Sequence, residues 1–209
     1  MNHSSCQIYH NYTIIQVAKD LTNSSIAIKG IIAQVPHLDG KAASKRALQS
    51  RGVIGVIRAT ALAVADLVVS ELLGFPPVYV KIVGSAKETS YMTLTDDQLG
   101  DYFKKHPKLY LGSWKNLAPA RTMAKLSLYN PITRVDAITV PILFIAATHD
   151  HLCPIEHVRK ALYMQRNNRS RLLEINSSHF GLYQGDQFQT ILSSMVAFLH
   201  EVLSDEALT

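Results

Sequence analysis

The sequence predicts an α/β fold, and three observations carry the prediction. From Val140 onward, a strand over Ile142–Ala147, a helix over Ile155–Met164, a strand over Arg171–Ile175 and a helix over Asp186–Leu203 alternate in the order that builds a parallel sheet. Ile142-Leu143-Phe144-Ile145-Ala146-Ala147 is an unbroken apolar run, the texture of a parallel strand covered on both faces. Asp150 follows this strand and His179 follows the next, and in such sheets polar groups converge beyond the carboxyl ends of the strands.

The other elements follow from local pattern. Asn11 to Asp20 reads as a helix with Ile14, Ile15, Val17 and Ala18 on its apolar side. Ile28 to Pro36 reads as a buried strand, ended by the proline and the turn His37-Leu38-Asp39-Gly40. Lys41 to Leu73 is helical in propensity, with Gly52, Gly55 and Gly74 as candidate breaks. After Pro76-Pro77, Val78 to Val83 reads as extended, and Thr95-Asp96-Asp97 as a helix start, its threonine capping and its acids favouring the N-terminus. A further helix is expected over residues 119 to 128. In the last helix Phe188, Ile191, Leu192, Met195, Phe198, Leu199 and Val202 recur at three- and four-residue steps and form one core-facing side.

Composition narrows the function classes. The chain has 209 residues, is 47% hydrophobic and 18% charged, and so is globular rather than disordered. Its net charge of +5 is modest, and the basic clusters around Lys104 and from Arg166 to Arg171 lack interleaved aromatics, which argues against a nucleic-acid surface. Two distant cysteines, Cys6 and Cys153, form no disulfide framework and point to a reducing, cytoplasmic setting. The first residues show neither a basic start nor an apolar run, so no signal peptide is expected. The apolar stretch from Val53 to Phe75 is interrupted by Arg58, Asp66 and Glu71, and a buried or cap helix is expected there rather than a membrane span.

Asp150 and His179 are a candidate pair for a physical reason. A carboxylate at one imidazole nitrogen fixes the tautomer and supports the imidazolium that forms when the other nitrogen takes a proton. His149, His151, Cys153 and His157 also place metal-ligand types close together, but their spacing fits no common closed zinc site, and no metal is expected. Cys153 reads as a small turn residue. Trp114 is a candidate for a substrate pocket, with cap packing as the competing reading. Arg121 is a candidate contact for an acidic substrate, with pairing to a nearby carboxylate favoured.

These segments together resemble the α/β-hydrolases, in particular capped, dienelactone-hydrolase-like and peptidase-like serine hydrolases. Ile31 to Pro36 with Asp39-Gly40 resembles the strand after the nucleophile helix. Val83-Gly84, Met92, Trp114-Lys115-Asn116 and Ala120-Arg121 resemble landmarks of the cap. Val140-Pro141-Ile142-Leu143, Asp150 and Pro154 resemble the acid segment, and His179-Phe180 with Tyr183 and Phe188 the histidine segment. The resemblance spans roughly residues 12 to 203 and implies a partial hydrolase sheet, its last three parallel strands, with a helical cap inserted. It implies hydrolase core over residues 1–40, a cap over 41–137 and the acid- and histidine-bearing core over 138–209.

The implied activity is hydrolysis of an ester or related acyl bond by a Ser-His-Asp triad, with acyl transfer and peptide cleavage left open. It needs no cofactor, and the implied partner is a small ester-like substrate rather than nucleic acid or membrane. Asp150 and His179 take the acid and histidine roles. The nucleophile is absent, because the sequence contains no G-x-S-x-G elbow; Ser4, Ser5 and Cys6 lie nearest to where one would fall. The chain therefore reads as a truncated hydrolase of doubtful activity, prone to self-association through an exposed sheet edge. The alternative is a non-catalytic remnant that binds a small ligand or pairs with a partner chain.

Overall fold

The computed structural model describes residues 28–85, 87–95, 104 and 114–204. The expected helix from Asn11 to Asp20 and the expected helix start at Asp96-Asp97 lie outside the described residues. The chain divides into two compact units, one of Met1–Asp39 and Asn130–Thr209, the other of Gly40–Tyr129.

The first unit is a three-layer α/β/α arrangement. Strands β1 (Ile31–Gln34), β5 (Ile142–Ala147) and β6 (Arg171–Ile175) form a wholly parallel sheet in the order β1-β5-β6. Ile31 pairs with Ile142 and Ala147 with Ile175, so register holds along the length of β5. Alternation along β5 supplies both layers. Ile142, Phe144 and Ala146 face a core shared with Ile155, Val158 and Ala161 of helix α3 (Ile155–Met164). Leu143, Ile145 and Ala147 face the opposite core, shared with Ile191, Phe198 and Val202 of helix α4 (Gly185–Ser204). Every β5 residue is buried, as the unbroken apolar run requires of a central strand.

The apolar side of α4 is only partly used. Ile191, Phe198 and Val202 are buried, whereas Phe188, Leu192 and Leu199 of the expected core face are exposed. The stripe is wider than the contact that the described residues supply. The short helical turn Pro131–Ala137, expected with the insertion, packs in the first unit, because Ile132 and Val135 enter the α3-side core.

The second unit is mixed rather than purely helical. Helix α1 (Gly40–Asp66) runs on into a wider π-type segment, Leu67–Leu72. It consists of two helical pieces that meet at Gly52, whose φ of 67° is open to glycine at little cost. Gly55 stays helical. By length and composition the stretch Gly40–Leu72 could cross a membrane. Its first residue allows close packing, since a Cβ on Gly40 would lie 2.4 Å from the Leu126 carbonyl oxygen and 2.6 Å from that of Tyr129. Strands β2 (Tyr79–Gly84), β3 (Ser90–Thr93) and β4 (Ala118–Pro119) form a small sheet with β2 in the middle, parallel to β3 and antiparallel to β4. Helix α2 (Arg121–Leu128) follows.

Two polar side chains hold this second unit together. Asp66 is fully buried and accepts from the amides of Val78 (2.8 Å) and Arg121 (2.9 Å), the Ser70 hydroxyl (2.9 Å) and the Arg121 guanidinium (3.1 Å). Burial opposes its charge, but these donors outweigh that and hold the carboxyl below its ordinary range. Asn116 acts as a substitute strand. Its Oδ1 accepts from the amides of Ile82 (3.1 Å) and Val83 (2.9 Å), and its Nδ2 donates to the Val83 carbonyl at 2.7 Å. Backbone groups of β2 that would otherwise lack a neighbour are thereby paired.

Candidate active site

The site is built on the ends of β5 and β6. Past Ala147, the Thr148 amide donates to the Ile175 carbonyl (2.9 Å) and the His149 amide to that of Ser177 (3.0 Å), so the acid loop is tied to the histidine loop by its backbone. The His149 side chain adds a second tie, with Nε2 2.9 Å from Asn176 Oδ1. Asp150 comes next and turns inward. Its Oδ1 accepts from the amides of Leu152 and Cys153, both at 2.8 Å, an Asx-type turn that fixes the carboxylate plane. Pro154 then opens α3.

The free oxygen of this carboxylate meets the histidine. Asp150 Oδ2 lies 2.7 Å from His179 Nδ1, the acid side chain fully buried and the imidazole 16% exposed. An ionised Asp150 can only accept, so this contact selects the Nδ1–H tautomer of a neutral imidazole, whose lone pair is then at Nε2. The Phe180 ring packs edge-on against the imidazole, with centroids 4.9 Å apart and planes at 79°, and limits its rotation. Gly181 closes the loop where a Cβ would fall 2.2 Å from Ser177 Oγ. The result is an imidazole oriented through Nδ1 by a buried carboxylate.

The sequence-predicted residues therefore divide. Asp150 and His179 are brought together. Trp114 and Arg121 both belong to the second unit. Trp114 is half-buried, and the Arg121 guanidinium pairs with Asp66 at 3.1 Å and Glu71 at 3.4 Å. The histidine-rich run is not gathered into one cluster: His149 bonds Asn176, and His157 stands 3.9 Å from Asp39. Sequence reasoning missed Cys153 as a neighbour of the pair. Atoms of Asp150, Cys153 and His179 that could serve as metal ligands lie within 4.8 Å of one another. The three-residue step from Asp150 to Cys153 is visible in the sequence, but the approach of His179 to both depends on β6 returning beside β5.

No protein-family model matches the chain, and no curated protein matches it in sequence. Solved structures do. An α/β hydrolase from Penicillium sp. sh18, GrgF, superposes with a TM-score of 0.65 at 18% identity, over 93% of this chain and 61% of that one. DcsB, solved in complex with its substrate analogue, gives 0.63 at 17% identity, over 90% of this chain and 61% of its own. The monoacylglycerol lipase of Paleococcus ferrophilus gives 0.55 at 13% identity, over 92% and 65%. The chain thus has the α/β-hydrolase fold over the part it covers, and it spans about three-fifths of the length of the first two structures it matches.

Proposed function

We propose that the activity to which this chain belongs is hydrolysis of an ester or related acyl bond on a small organic substrate. The observation that carries the reading is the 2.7 Å bond between Asp150 and His179 beyond the ends of two neighbouring parallel strands. In this reading a serine hydroxyl attacks the acyl carbon while His179 Nε2 takes its proton. The tetrahedral intermediate collapses, the imidazolium returns the proton to the leaving alkoxide, and water then attacks the acyl-enzyme by the same route. Asp150 holds Nδ1 and supports the transient positive charge. The cycle draws only on side chains and water. In this reading the second unit, Gly40–Tyr129, acts as the cap, with Trp114 as a candidate substrate contact and Arg121 fixing the cap's own structure through Asp66 and Glu71. The proposed setting is cytoplasmic.

A second reading is favoured by a specific observation: the 209 residues contain no G-x-S-x-G elbow. A histidine and an acid without a nucleophile cannot form an acyl-enzyme, and the chain then acts as a non-catalytic binding remnant. A fluorophosphonate probe separates the two. Labelling of a serine in protein taken from its source, lost on His179→Ala, supports the hydrolase. A folded sample that takes up no label supports the remnant.

A further inference from the structure

We propose that Asp150, Cys153 and His179 form a binding site for a thiophilic divalent cation of the Zn²⁺ class. Their ligand atoms are an oxygen, a sulfur and a nitrogen, all within 4.8 Å of one another. Zinc takes this mixture of donors, and sites with three protein ligands keep a fourth position for water. Metal–ligand bonds of about 2.0–2.3 Å at tetrahedral angles place ligand atoms about 3.3–3.8 Å apart, so the three side chains need to move by no more than roughly an ångström.

The loop favours this adjustment. Asp150 Oδ1 is held by two backbone amides, so the carboxylate is already oriented, and one of those amides belongs to Cys153 itself. The thiol therefore moves with the carboxylate on one short turn. His179 is partly exposed at 16%, which leaves the site open to solvent. As the cation binds, the thiol proton passes to solvent, the imidazole proton shifts from Nδ1 to Nε2, and metal–sulfur and metal–nitrogen bonds replace the Asp150–His179 hydrogen bond. No electron transfer is involved. The inference does not rest on the acyl chemistry above; for a hydrolase it would add a cation that competes with the proton for the Asp150–His179 pair.

The experiment is a titration of the full chain, in a Cys6→Ser background, with Co²⁺ as the spectroscopic stand-in and Zn²⁺ as competitor. The expected result is a one-to-one thiolate-to-cobalt charge-transfer absorption, displaced by Zn²⁺. Cys153→Ser should remove that absorption, and His179→Ala or His179→Gln should weaken Zn²⁺ binding at least tenfold, each variant keeping its far-ultraviolet circular dichroism. A folded parent protein without the charge-transfer absorption overturns the proposal. So does an absorption that survives Cys153→Ser, or an affinity unchanged by both His179 variants.

Discussion

Asp150 is held from two sides, and the two sides make different demands on its side chain. The amides of Leu152 and Cys153 need an acceptor at Oδ1, which asparagine can supply; His179 Nδ1 needs an acceptor at Oδ2, which asparagine cannot supply once Oδ1 is used. Asp150→Asn should therefore keep the turn but move the imidazole proton from Nδ1 to Nε2. Nitrogen NMR of His179 reads this directly, without any assay of turnover, and an unchanged Nδ1–H tautomer would contradict the account. In a catalytically complete form the same change should lower kcat by about 10⁴. A second residue-scale expectation concerns His37, in the turn after β1. Burial pushes its imidazole from 6.5 down to about 4, with Asp39 opposing and His157 adding to the shift. Above pH 6.5 the ring is neutral in both folded and unfolded chains and contributes nothing to the pH dependence. As pH falls from 6.5 to about 4, the unfolded chain binds a proton that the folded chain refuses, and stability is lost, by up to about 3 kcal/mol. Denaturant unfolding across that window should show this slope, flattened in His37→Gln.

At the scale of elements, the second unit depends on a carboxylate that no pattern in the sequence marks. Asp66 lies in an otherwise apolar helical run, where it reads as an interruption; only the fold brings Val78 and Arg121 to it. Removing it leaves the part-buried amides of Val78 and Arg121 and the Ser70 hydroxyl without their acceptor, and leaves the Arg121 guanidinium with Glu71 alone of its two carboxylates. Asp66→Ala should destabilise by about 1–3 kcal/mol, the range for leaving buried hydrogen-bond donors without an acceptor. Lys125→Ala, which removes an exposed contact to Glu71 at 3.5 Å, should cost less than about 1 kcal/mol. Urea unfolding of the two variants compares them. Legibility followed the source of each element's order. β5, α3 and β6 were readable to the residue, because continuous apolar runs, Pro154 before α3 and the Asn167–Ser170 turn are local signals. The small sheet of the second unit was readable only at β2, since β4 is two residues long and Asn116 stands in for backbone pairing. The Asp150–His179 pair was legible because strand order places those loops side by side, whereas the Cys153 neighbourhood was not, since a side-chain direction within a turn leaves no periodic trace.

At the scale of the whole molecule, the sheet of the first unit ends at β1, and among the described residues β1 has a strand neighbour on one side only. Ile31 and Val35 direct their amides toward β5, donating to Pro141 (2.9 Å) and Ile145 (2.7 Å). By alternation, Ile32 and Gln34 present theirs to the other side. On α4, Leu192, Val196, Leu199 and Leu203 recur at three- and four-residue steps and are 42–56% exposed. An unpaired parallel strand and an apolar helical stripe in one unit are the two surfaces a sheet protein ordinarily covers. Purified chain should therefore associate, with a weight-average mass rising above 23.2 kDa as concentration increases in sedimentation experiments. Ile32→Pro removes an outward amide while leaving the β5 ladder intact, and Leu199→Glu places a charge on the stripe; each should return the protein toward the monomer mass. A chain that stays monomeric at high concentration and unfolds in one cooperative step would show that the edge and the stripe are already satisfied within a single copy.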